Sequence, residues 1–194
     1  MSLNNLKYCQ PEFYKFSEDS ILLANEGSKI IEDSFPKGLS IKGLDLCSGC
    51  GVVGIEILRQ LENYSCFHFI ELQEEFKYYF QKNTELFLNE AKRKKVELYS
   101  ANLDSIGSYS DIKYNLIVSN PPYFKKGKNR LGPDKRKNLC RFLLDLKFCD
   151  YLNFIYNSLD KKGIALFLGR GSEIESDIKI FLENNSKSFE VKKY

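Results

Sequence analysis

The order of apolar segments along the chain restricts the fold more than any other feature of the sequence. From residue 41 onward, short apolar segments of strand length alternate with longer amphipathic segments of helical length. The predicted strands are 41–46, 66–70, 96–99, 114–118 and 163–168, and the predicted helices are 52–62, 74–92, 139–159 and 172–183. Strands that alternate with helices pair in parallel through right-handed crossovers. The sequence therefore predicts an α/β fold, with a mostly parallel, doubly wound sheet and helices on both faces.

Residues 1–40 precede this alternating region and are predicted to form a short helical appendage to a domain of residues 41–194. Ser17 is a predicted helix N-cap, because Glu18 and Asp19 follow it in the first turn and complement the helix dipole. The apolar face of this helix would consist of Ile21, Leu22, Ile30 and Ile31. Residues 188–193 are predicted to form one final strand.

Length and composition exclude several classes of protein. A chain of 194 residues, 43% hydrophobic and 28% charged, suits one globular domain rather than a disordered tail. Its longest apolar run, 164–168, is far shorter than the roughly 20 residues of a membrane-spanning helix. No charged segment followed by an apolar stretch marks a secretory signal at the N-terminus. Six cysteines are then expected to be free thiols in a reducing cytoplasm.

A glycine-rich turn follows the first predicted strand. Gly49, Gly51 and Gly54 form a G-x-G-x-x-G pattern between that strand and a helix, where glycine allows a sharp bend and close approach of a ligand. Glu71, twenty residues beyond Gly51, ends the second strand, where a carboxylate can hold both ribose hydroxyls. A dinucleotide and S-adenosylmethionine both fit this pattern. Asp45 favours the second, because an acid suits a cationic amino-acid group and would repel a pyrophosphate.

The fourth predicted strand leads directly into Asn120-Pro121-Pro122-Tyr123. Ligands of open α/β sheets bind beyond the carboxyl ends of the strands, so this tetrad is expected beside the glycine turn. The Asn120 side-chain oxygen and the Pro121 carbonyl could accept hydrogens from a planar nitrogen, on which Tyr123 would stack. Such a nitrogen is a poor nucleophile, and positioning and electrostatics would supply most of the acceleration of methyl transfer to it.

The spacing D-x-x-x-G-x-G at residues 45–51 resembles the first motif of Rossmann-like class I methyltransferases that use S-adenosylmethionine. The resemblance implies that a common set of residues contacts the cofactor: Asp45, Cys47, Gly49, Gly51, Glu71, Leu72, Asn102, Leu103 and Asn120. In that family the segment 102–104 lies where the adenine ring binds, although Asp104 could equally be a helix N-cap. These folds commonly end with a strand and an antiparallel neighbour, and this chain has residues for one of the two.

The tetrad resembles the signature of methyltransferases that act on adenine N6, guanine N2 or glutamine amide nitrogen. The resemblance implies that Asn120, Pro121, Pro122 and Tyr123 are the catalytic residues. With the flanking segments 16–24 and 124–127, residues 13–170 resemble the bacterial tRNA(1)(Val) adenine-37 N6-methyltransferases. This chain departs from that family at Phe142, since the family carries a histidine soon after the arginine that matches Arg141.

Positive charge is concentrated after the tetrad. Residues 125–141 contain eight basic residues and one acid, a net charge of +7 against −4 for the rest of the chain. A local anionic partner or a solvated, mobile loop would both account for this segment. With RNA as partner, the residues expected to bind it are Phe124, Lys125, Lys126, Lys128, Arg130, Lys135, Arg136 and Arg141. A second basic cluster occupies residues 92–95.

Several functions remain open at this point. The favoured one is methylation of adenine N6 in tRNA or another structured RNA, by a monomer without a metal ion or a membrane partner. The target base would be unpaired or flipped out. The alternatives are methylation of a glutamine amide in a release factor, methylation of guanine N2 in rRNA, and a non-catalytic RNA-binding or assembly subunit that keeps the cofactor pocket.

Other conspicuous residues are assigned structural roles. Cys47 and Cys50 have the spacing of a zinc pair, but no second pair accompanies them and His68 is the single histidine of the chain. His68 lies in the middle of a predicted strand and is expected to be a core residue. Glu74 and Glu75 stand at a helix start, where they complement the helix dipole.

Overall fold

The computed structural model of the protein describes residues 7–101, 112–125, 130–144, 147–169 and 171–185. Five strands form a parallel sheet in the order β3-β2-β1-β4-β7, and two short strands, β5 and β6, form a separate parallel pair. The strands are β1 (Ile41–Leu46), β2 (Tyr64–Glu71), β3 (Val96–Ser100), β4 (Tyr114–Ser119), β5 (Phe124–Lys125), β6 (Phe142–Leu143) and β7 (Leu159–Phe167). The helices are α1 (Glu18–Ser34), α2 (Val52–Gln60), α3 (Phe76–Phe87), α4 (Glu90–Arg93), α5 (Lys135–Leu139), α6 (Phe148–Ser158) and α7 (Gly171–Asn185).

Two hydrophobic clusters cover the two faces of the large sheet. On one face, Phe67 and Phe69 of β2 pack with α1, α2 and α3. On the other face, Leu44 of β1 and Ile117 of β4 pack with α6 and α7. Successive side chains of a strand point to opposite faces, which is why one strand serves both clusters. The predicted doubly wound α/β fold is therefore confirmed, and within the described ranges no helix is long and apolar enough to cross a membrane.

The histidine of the second strand is a buried sheet residue, as predicted. His68 is 6% exposed, and its Nδ1 lies 2.8 Å from the hydroxyl oxygen of Tyr114. The rings of Tyr99 and Tyr114 meet the imidazole edge-on. Burial lowers the pKa of His68, so the ring is held neutral within the sheet.

Two predicted helices are interrupted in the structure. The predicted helix 74–92 is two helices, because the chain turns extended at Leu88 and Asn89 and the Asn89 side chain then caps α4 through the Lys92 N–H. The predicted helix 139–159 is wrong in its first half. Asp134 caps α5 and starts it at Lys135, after which Phe142 and Leu143 leave helical geometry to pair with β5.

The first described helix differs in detail from its prediction. Ser17 stands at the N-cap of α1, but its hydroxyl donates to Asp19 Oδ2 and makes no bond to a helix N–H. Leu22, predicted on the apolar face, is 59% exposed, whereas Leu23 and Ala24 are buried. The predicted strand 188–193 lies outside the described residues.

The residues before α1 are attached to the domain by buried polar contacts. The Tyr8 hydroxyl donates to Glu56 Oε1 of α2 at 2.5 Å, and Arg59 holds the same carboxylate with two hydrogen bonds. The Asn83 side chain of α3 binds the N–H and the carbonyl of Cys9, and it also donates to the carbonyl of Cys50. The N-terminal segment is therefore joined through Asn83 to the glycine-rich turn.

Candidate functional site

The strand register brings the predicted site segments to one edge of the sheet. Leu46, the last residue of β1, pairs with Ile70 of β2 on one side and with Ser119 of β4 on the other. The chain that follows Leu46 is the glycine turn, the residue after Ile70 is Glu71, and the residue after Ser119 is Asn120. Segments separated by up to about 70 positions in sequence are thus neighbours at the carboxyl ends of three adjacent strands.

The glycine turn is built from left-handed backbone conformations. Gly49 has φ 54° and Gly51 has φ 84°, and Cys47 adopts φ 59° despite its side chain. The Gly51 N–H donates to the Ser48 carbonyl at 2.8 Å, which closes the turn before α2. L-residues rarely adopt this region, so the glycines are required by conformation.

Close packing adds a second requirement at two of the three glycines. A Cβ on Gly51 would lie 2.7 Å from the Phe80 ring, and a Cβ on Gly54 would lie 2.5 Å from the Phe69 ring. A Cβ on Gly49 would meet nothing closer than 3.6 Å. Space for the predicted close approach of a ligand therefore exists at Gly49. The absence of a side chain at Gly51 and Gly54 instead allows α3 to pack on the turn and α2 to pack on the sheet.

Asp45 is a fully buried carboxylate beneath this turn. Its Oδ2 accepts from the Gly54 N–H in the first turn of α2 at 2.8 Å, while Oδ1 has no hydrogen-bond partner among the described residues. Burial raises the pKa of Asp45 to about 8, and negative charge on Glu71 adds to the shift, against the opposing effect of the Gly54 bond. The site thus holds a carboxyl group that lacks a counter-charge among the described residues.

Glu71 joins the second strand to the glycine turn. Its Oε2 accepts from the Gly49 N–H at 2.8 Å, and its Oε1 accepts from the Gln73 N–H at 2.9 Å. Burial raises the pKa of Glu71, and these backbone bonds counter the rise. Each carboxylate oxygen keeps a further lone pair, so Glu71 can still accept a ribose hydroxyl. The next residue, Leu72, is 51% exposed and presents an apolar surface beside the carboxylate.

The two cysteines of the turn are protonated thiols at neutral pH. Burial raises the pKa of Cys47 well above its ordinary value, and it raises the pKa of Cys50 to about 12. A thiol must ionise to act as a nucleophile or a metal ligand. Within the described ranges, no group of three or more His, Cys, Asp or Glu residues could hold a metal ion.

The Asn120 side chain is held by a residue from the other end of the chain. Asn120 Nδ2 donates to the Ser20 hydroxyl oxygen of α1 at 3.1 Å, and Ser20 is 3% exposed. Because the amide nitrogen is engaged, the amide oxygen remains as an acceptor. Pro121 is buried and Pro122 is half-buried, so the backbone after Asn120 is fixed by two prolines.

Aromatic rings continue the tetrad. The rings of Tyr123 and Phe124 lie 4.9 Å apart at 50°, and Phe142 of β6 lies 5.7 Å beyond Phe124. The Arg141 guanidinium covers this group, 5.4 Å from the Phe124 ring centre and 5.9 Å from that of Phe142. Among the described residues Arg141 makes no ion pair, so its positive charge remains available beside the tetrad.

The other basic residues of the predicted RNA-binding segment differ from one another. Arg130 and Lys135 are exposed. Arg136 is paired with Asp134 at 3.0 Å and lies 4.6 Å from the centre of the Phe13 ring, so its charge is balanced locally. The side chains of Lys125, Lys126 and Lys128 lie outside the described residues, as do the predicted cofactor contacts Asn102 and Leu103 and the alternative cap Asp104.

The second basic cluster has structural contacts at the opposite edge of the sheet, before β3. Lys92 Nζ donates to the Leu58 carbonyl at 2.6 Å, and Lys95 Nζ donates to the Tyr64 carbonyl at 3.0 Å. Lys94 is paired with Glu90 at 2.8 Å. These contacts explain three of the four charges without an external partner.

A comparison with protein families decides the class of the chain. The sequence pattern of the family described as Methyltransferase small domain matches residues 15–133, more than half of the chain. The chain belongs to this family. Membership confirms the predicted class of methyltransferase fold, and the family description names no methyl acceptor.

One curated relative of the chain is named for a specific target. The tRNA1(Val) (adenine(37)-N6)-methyltransferase of Pasteurella multocida (strain Pm70) is 26% identical over 120 residues, 62% of this chain and 48% of the relative. The chain thus spans about half the length of that curated relative.

Two solved structures of methyltransferases have the same fold as this chain. The ribosomal protein L11 methylase of Lactobacillus delbrueckii subsp. bulgaricus has a TM-score of 0.58 at 15% identity, with 88% of this chain and 70% of that chain covered. The precorrin-6y C5,15-methyltransferase of Geobacter metallireducens GS-15 has a TM-score of 0.58 at 11% identity, with 93% and 77% covered. At identities this low, the structural similarity shows that the fold is shared and nothing more.

The residues at this edge of the sheet fit S-adenosylmethionine. Three buried oxygens at this edge of the sheet lack a hydrogen-bond partner among the described residues: Asp45 Oδ1, Ser48 Oγ and Gln73 Oε1. Buried polar atoms are normally bonded, so their grouping around the turn indicates a polar ligand. An ammonium group would supply the charge that Asp45 lacks, and Glu71 with Leu72 offers a carboxylate and an apolar surface for the nucleoside.

Sequence reasoning missed three residues of this site: Ser20, Ser48 and Gln73. Ser48 lies within the glycine motif, and a polar side chain inside such a turn was a usable signal. Gln73 is two residues after the acid that ends β2, and its Nε2 donates to Cys140 Sγ at 3.1 Å. Ser20 is 100 positions from Asn120, and nothing in its local sequence distinguishes it from other helix serines.

Proposed function

We propose that this protein transfers the methyl group of S-adenosylmethionine to an exocyclic amino nitrogen, with adenine N6 in RNA as the target. One observation carries the proposal. Asn120 follows β4 at the edge where Asp45, the glycine turn and Glu71 meet, and its amide nitrogen is bound by Ser20. This arrangement supports a role for the Asn120 oxygen as an acceptor close to the residues that would hold the methyl donor.

The roles of the chain's own residues follow from this arrangement. S-adenosylmethionine supplies an electrophilic methyl carbon when bound. Asp45 would hold its amino group, and Glu71 its ribose. The Asn120 oxygen and the Pro121 carbonyl would accept the two hydrogens of the target amine and orient its lone pair, while Tyr123 would stack on the base. The proton can leave after transfer, so the chemistry needs no strong base and depends on positioning and electrostatics.

Three observations support RNA as the target. Lys135 and Arg130 are exposed in the segment that follows the tetrad, Arg141 of the same segment has no ion-pair partner among the described residues, and cations near phosphates add salt-dependent affinity. The Pasteurella multocida relative is described as a tRNA methyltransferase that acts on adenine N6. Tyr123 and Phe124 would supply the rings on which an unpaired base stacks.

The experiment that tests this proposal uses labelled S-adenosylmethionine with total tRNA, rRNA and release factor in parallel. Nucleoside and amino-acid analysis of the labelled material identifies the product. We expect N6-methyladenosine in tRNA, and we expect Asn120→Ala to abolish transfer while it changes the affinity for S-adenosylhomocysteine by no more than a few fold, because Asn120 acts on the acceptor.

Asn115→Ala is a matched control for this variant. Asn115 belongs to β4, the strand that leads to Asn120, and lies near its start, where its Oδ1 accepts from the Lys42 N–H at 2.9 Å. Methylglutamine in release factor or N2-methylguanosine in rRNA would replace the proposed target. Normal activity of Asn120→Ala would overturn the mechanism, and a chain that binds RNA without any transfer would be a non-catalytic subunit.

A further inference from the structure

We infer that Ser20 is a positioning residue for methyl transfer: its hydroxyl holds the Asn120 amide so that the amide oxygen faces the acceptor nitrogen. The inference rests on the proposed function. Ser20 has no place in the predicted cofactor or tetrad residues, and its side-chain bond within the described ranges is the one to Asn120 Nδ2, at 3.1 Å. Ser20 is 3% exposed, so water cannot readily replace it as a partner.

The position of Ser20 is fixed by the packing of α1 on the domain. Ser20, Ala24 and Gly27 are spaced by four and three residues, which places them on one face of the helix. All three are buried. A Cβ on Gly27 would lie 2.9 Å from Ile57 Cδ1 of α2 and 3.5 Å from Val118 Cγ1 of β4. Small residues on this face therefore let α1 approach β4 closely, with Ser20 near the strand end that leads to Asn120.

The chemistry of the amide explains why this bond matters. An asparagine side chain presents an acceptor oxygen and a donor nitrogen of similar shape, and rotation by about 180° exchanges them. A donor nitrogen aimed at the target amine would repel its hydrogens. In the structure Nδ2 donates to the Ser20 hydroxyl, so this bond fixes the plane of the amide and leaves the oxygen for the acceptor. Hydrogen bonds in a chain also polarise one another, which strengthens the oxygen as an acceptor.

The test compares Ser20→Ala with Ser28→Ala. Ser28 lies on the same helix and is also buried, but its hydroxyl has no hydrogen-bond partner among the described residues. We expect Ser20→Ala to lower kcat by about tenfold, the effect of one neutral hydrogen bond. The affinity for S-adenosylhomocysteine and the Tm should match those of Ser28→Ala. Ser20→Cys, which preserves volume and a weak acceptor, should recover part of the lost kcat.

A measurement without turnover separates this inference from the proposed function. The side-chain amide resonances of Asn120 can be assigned in the ¹⁵N-labelled protein by their loss in Asn120→Ala. Ser20→Ala should shift them and Ser28→Ala should not. The inference would be overturned if Ser20→Ala and Ser28→Ala had equal kcat values, or if Ser20→Ala left the chemical shifts of the Asn120 amide unchanged. A wild-type protein that methylates nothing would overturn the proposed function, and the resonances would still decide whether Ser20 holds the amide.

Discussion

Asp45 is a residue whose folded environment opposes its charge. One oxygen is bonded to the Gly54 N–H, the other has no partner among the described residues, and burial raises the pKa to about 8. The pKa of an unfolded aspartate is 3.8. Between about pH 4 and pH 8 Asp45 is therefore protonated in the folded protein and ionised in the unfolded chain. Stability therefore falls as pH rises through this interval, by up to about 1.4 kcal/mol per pH unit. An ammonium group beside the carboxyl would reverse this effect.

Asp45→Asn is expected to separate stability from binding. Asparagine cannot ionise, so the Tm of the ligand-free variant relative to wild type should increase from about pH 5 to pH 8. The same variant should bind S-adenosylhomocysteine more weakly, because the counter-charge is lost. Wild-type binding should release a proton near neutral pH, measured by calorimetry in buffers of different ionisation enthalpy, and the variant should release none. Asp33→Asn, on the exposed side of α1, is the control. Unchanged binding by Asp45→Asn would contradict the assigned role.

Residues within one motif could be predicted from the sequence, and their long-range partners could not. The spacing of Asp45, the glycines and Glu71 predicts that these groups meet at the carboxyl edge of the sheet, and the strand register brings them there. The bond between Ser20 and Asn120 joins residues 100 positions apart and arises only after α1 packs on β4. The same applies to Gln73, whose side chain meets Cys140 across the site.

The second helix approaches the sheet unusually closely at Gly54. A Cβ there would lie 2.5 Å from Phe69 Cε1 and 2.9 Å from Phe67 Cε1, and both rings are fully buried. Alanine favours a helix over glycine by up to about 1 kcal/mol. Overpacking of a filled core costs about 1–3 kcal/mol, so the steric effect exceeds the gain in helix propensity.

Gly54→Ala should therefore lower the free energy of unfolding by about 1–2 kcal/mol, measured by urea denaturation. Gly132→Ala is the control, because its Cβ would meet nothing closer than 3.7 Å. The displaced N-terminus of α2 should also weaken S-adenosylhomocysteine binding, since the Gly54 N–H bonds to Asp45. If Gly54→Ala were as stable as Gly132→Ala, the Phe67 and Phe69 rings would be able to move aside without loss of packing, contrary to this prediction.

The elements themselves were predictable where the sequence pattern is local. The strands of the parallel sheet and helices α1, α2 and α7 follow from apolar periodicity. The prediction failed at 139–159, because β6 exists only through its pairing with β5 and the packing of Phe142 on Phe124. Periodicity within one segment contains no information about a pairing partner that lies well upstream in the chain.

On the scale of the whole molecule, positive charge is unevenly available. Three of the four charges at 92–95 are engaged with carbonyls and acids at the amino edge of the sheet, whereas Arg141 and Lys135 lie in the segment that follows the tetrad. Counting basic residues in the sequence treats these two groups alike. Their partners in the structure distinguish them, and we expect RNA to bind at the second group.

Arg141→Gln and Lys135→Gln should each weaken tRNA binding and reduce the slope of log K against log salt concentration by about one unit, because each variant would neutralise one phosphate fewer. Lys94→Gln is the control, because Lys94 is exposed and already paired with Glu90. Filter binding or fluorescence anisotropy between about 50 and 200 mM salt would measure the slopes. Equal slopes for all three variants would place the RNA on another surface.

The hydrogen bonds of Asn83 have a consequence for anything attached at the N-terminus. The Asn83 amide binds both backbone groups of Cys9 and the carbonyl of Cys50. The same side chain therefore holds the N-terminal segment and the glycine-rich turn. Displacement of residues 8–10, for example by a fusion partner or a binding protein, would remove two of the three hydrogen bonds of Asn83. The glycine-rich turn would then be held less firmly, because Asn83 also binds the Cys50 carbonyl. Binding of the methyl donor would then depend on contacts that the N-terminal segment makes with Asn83.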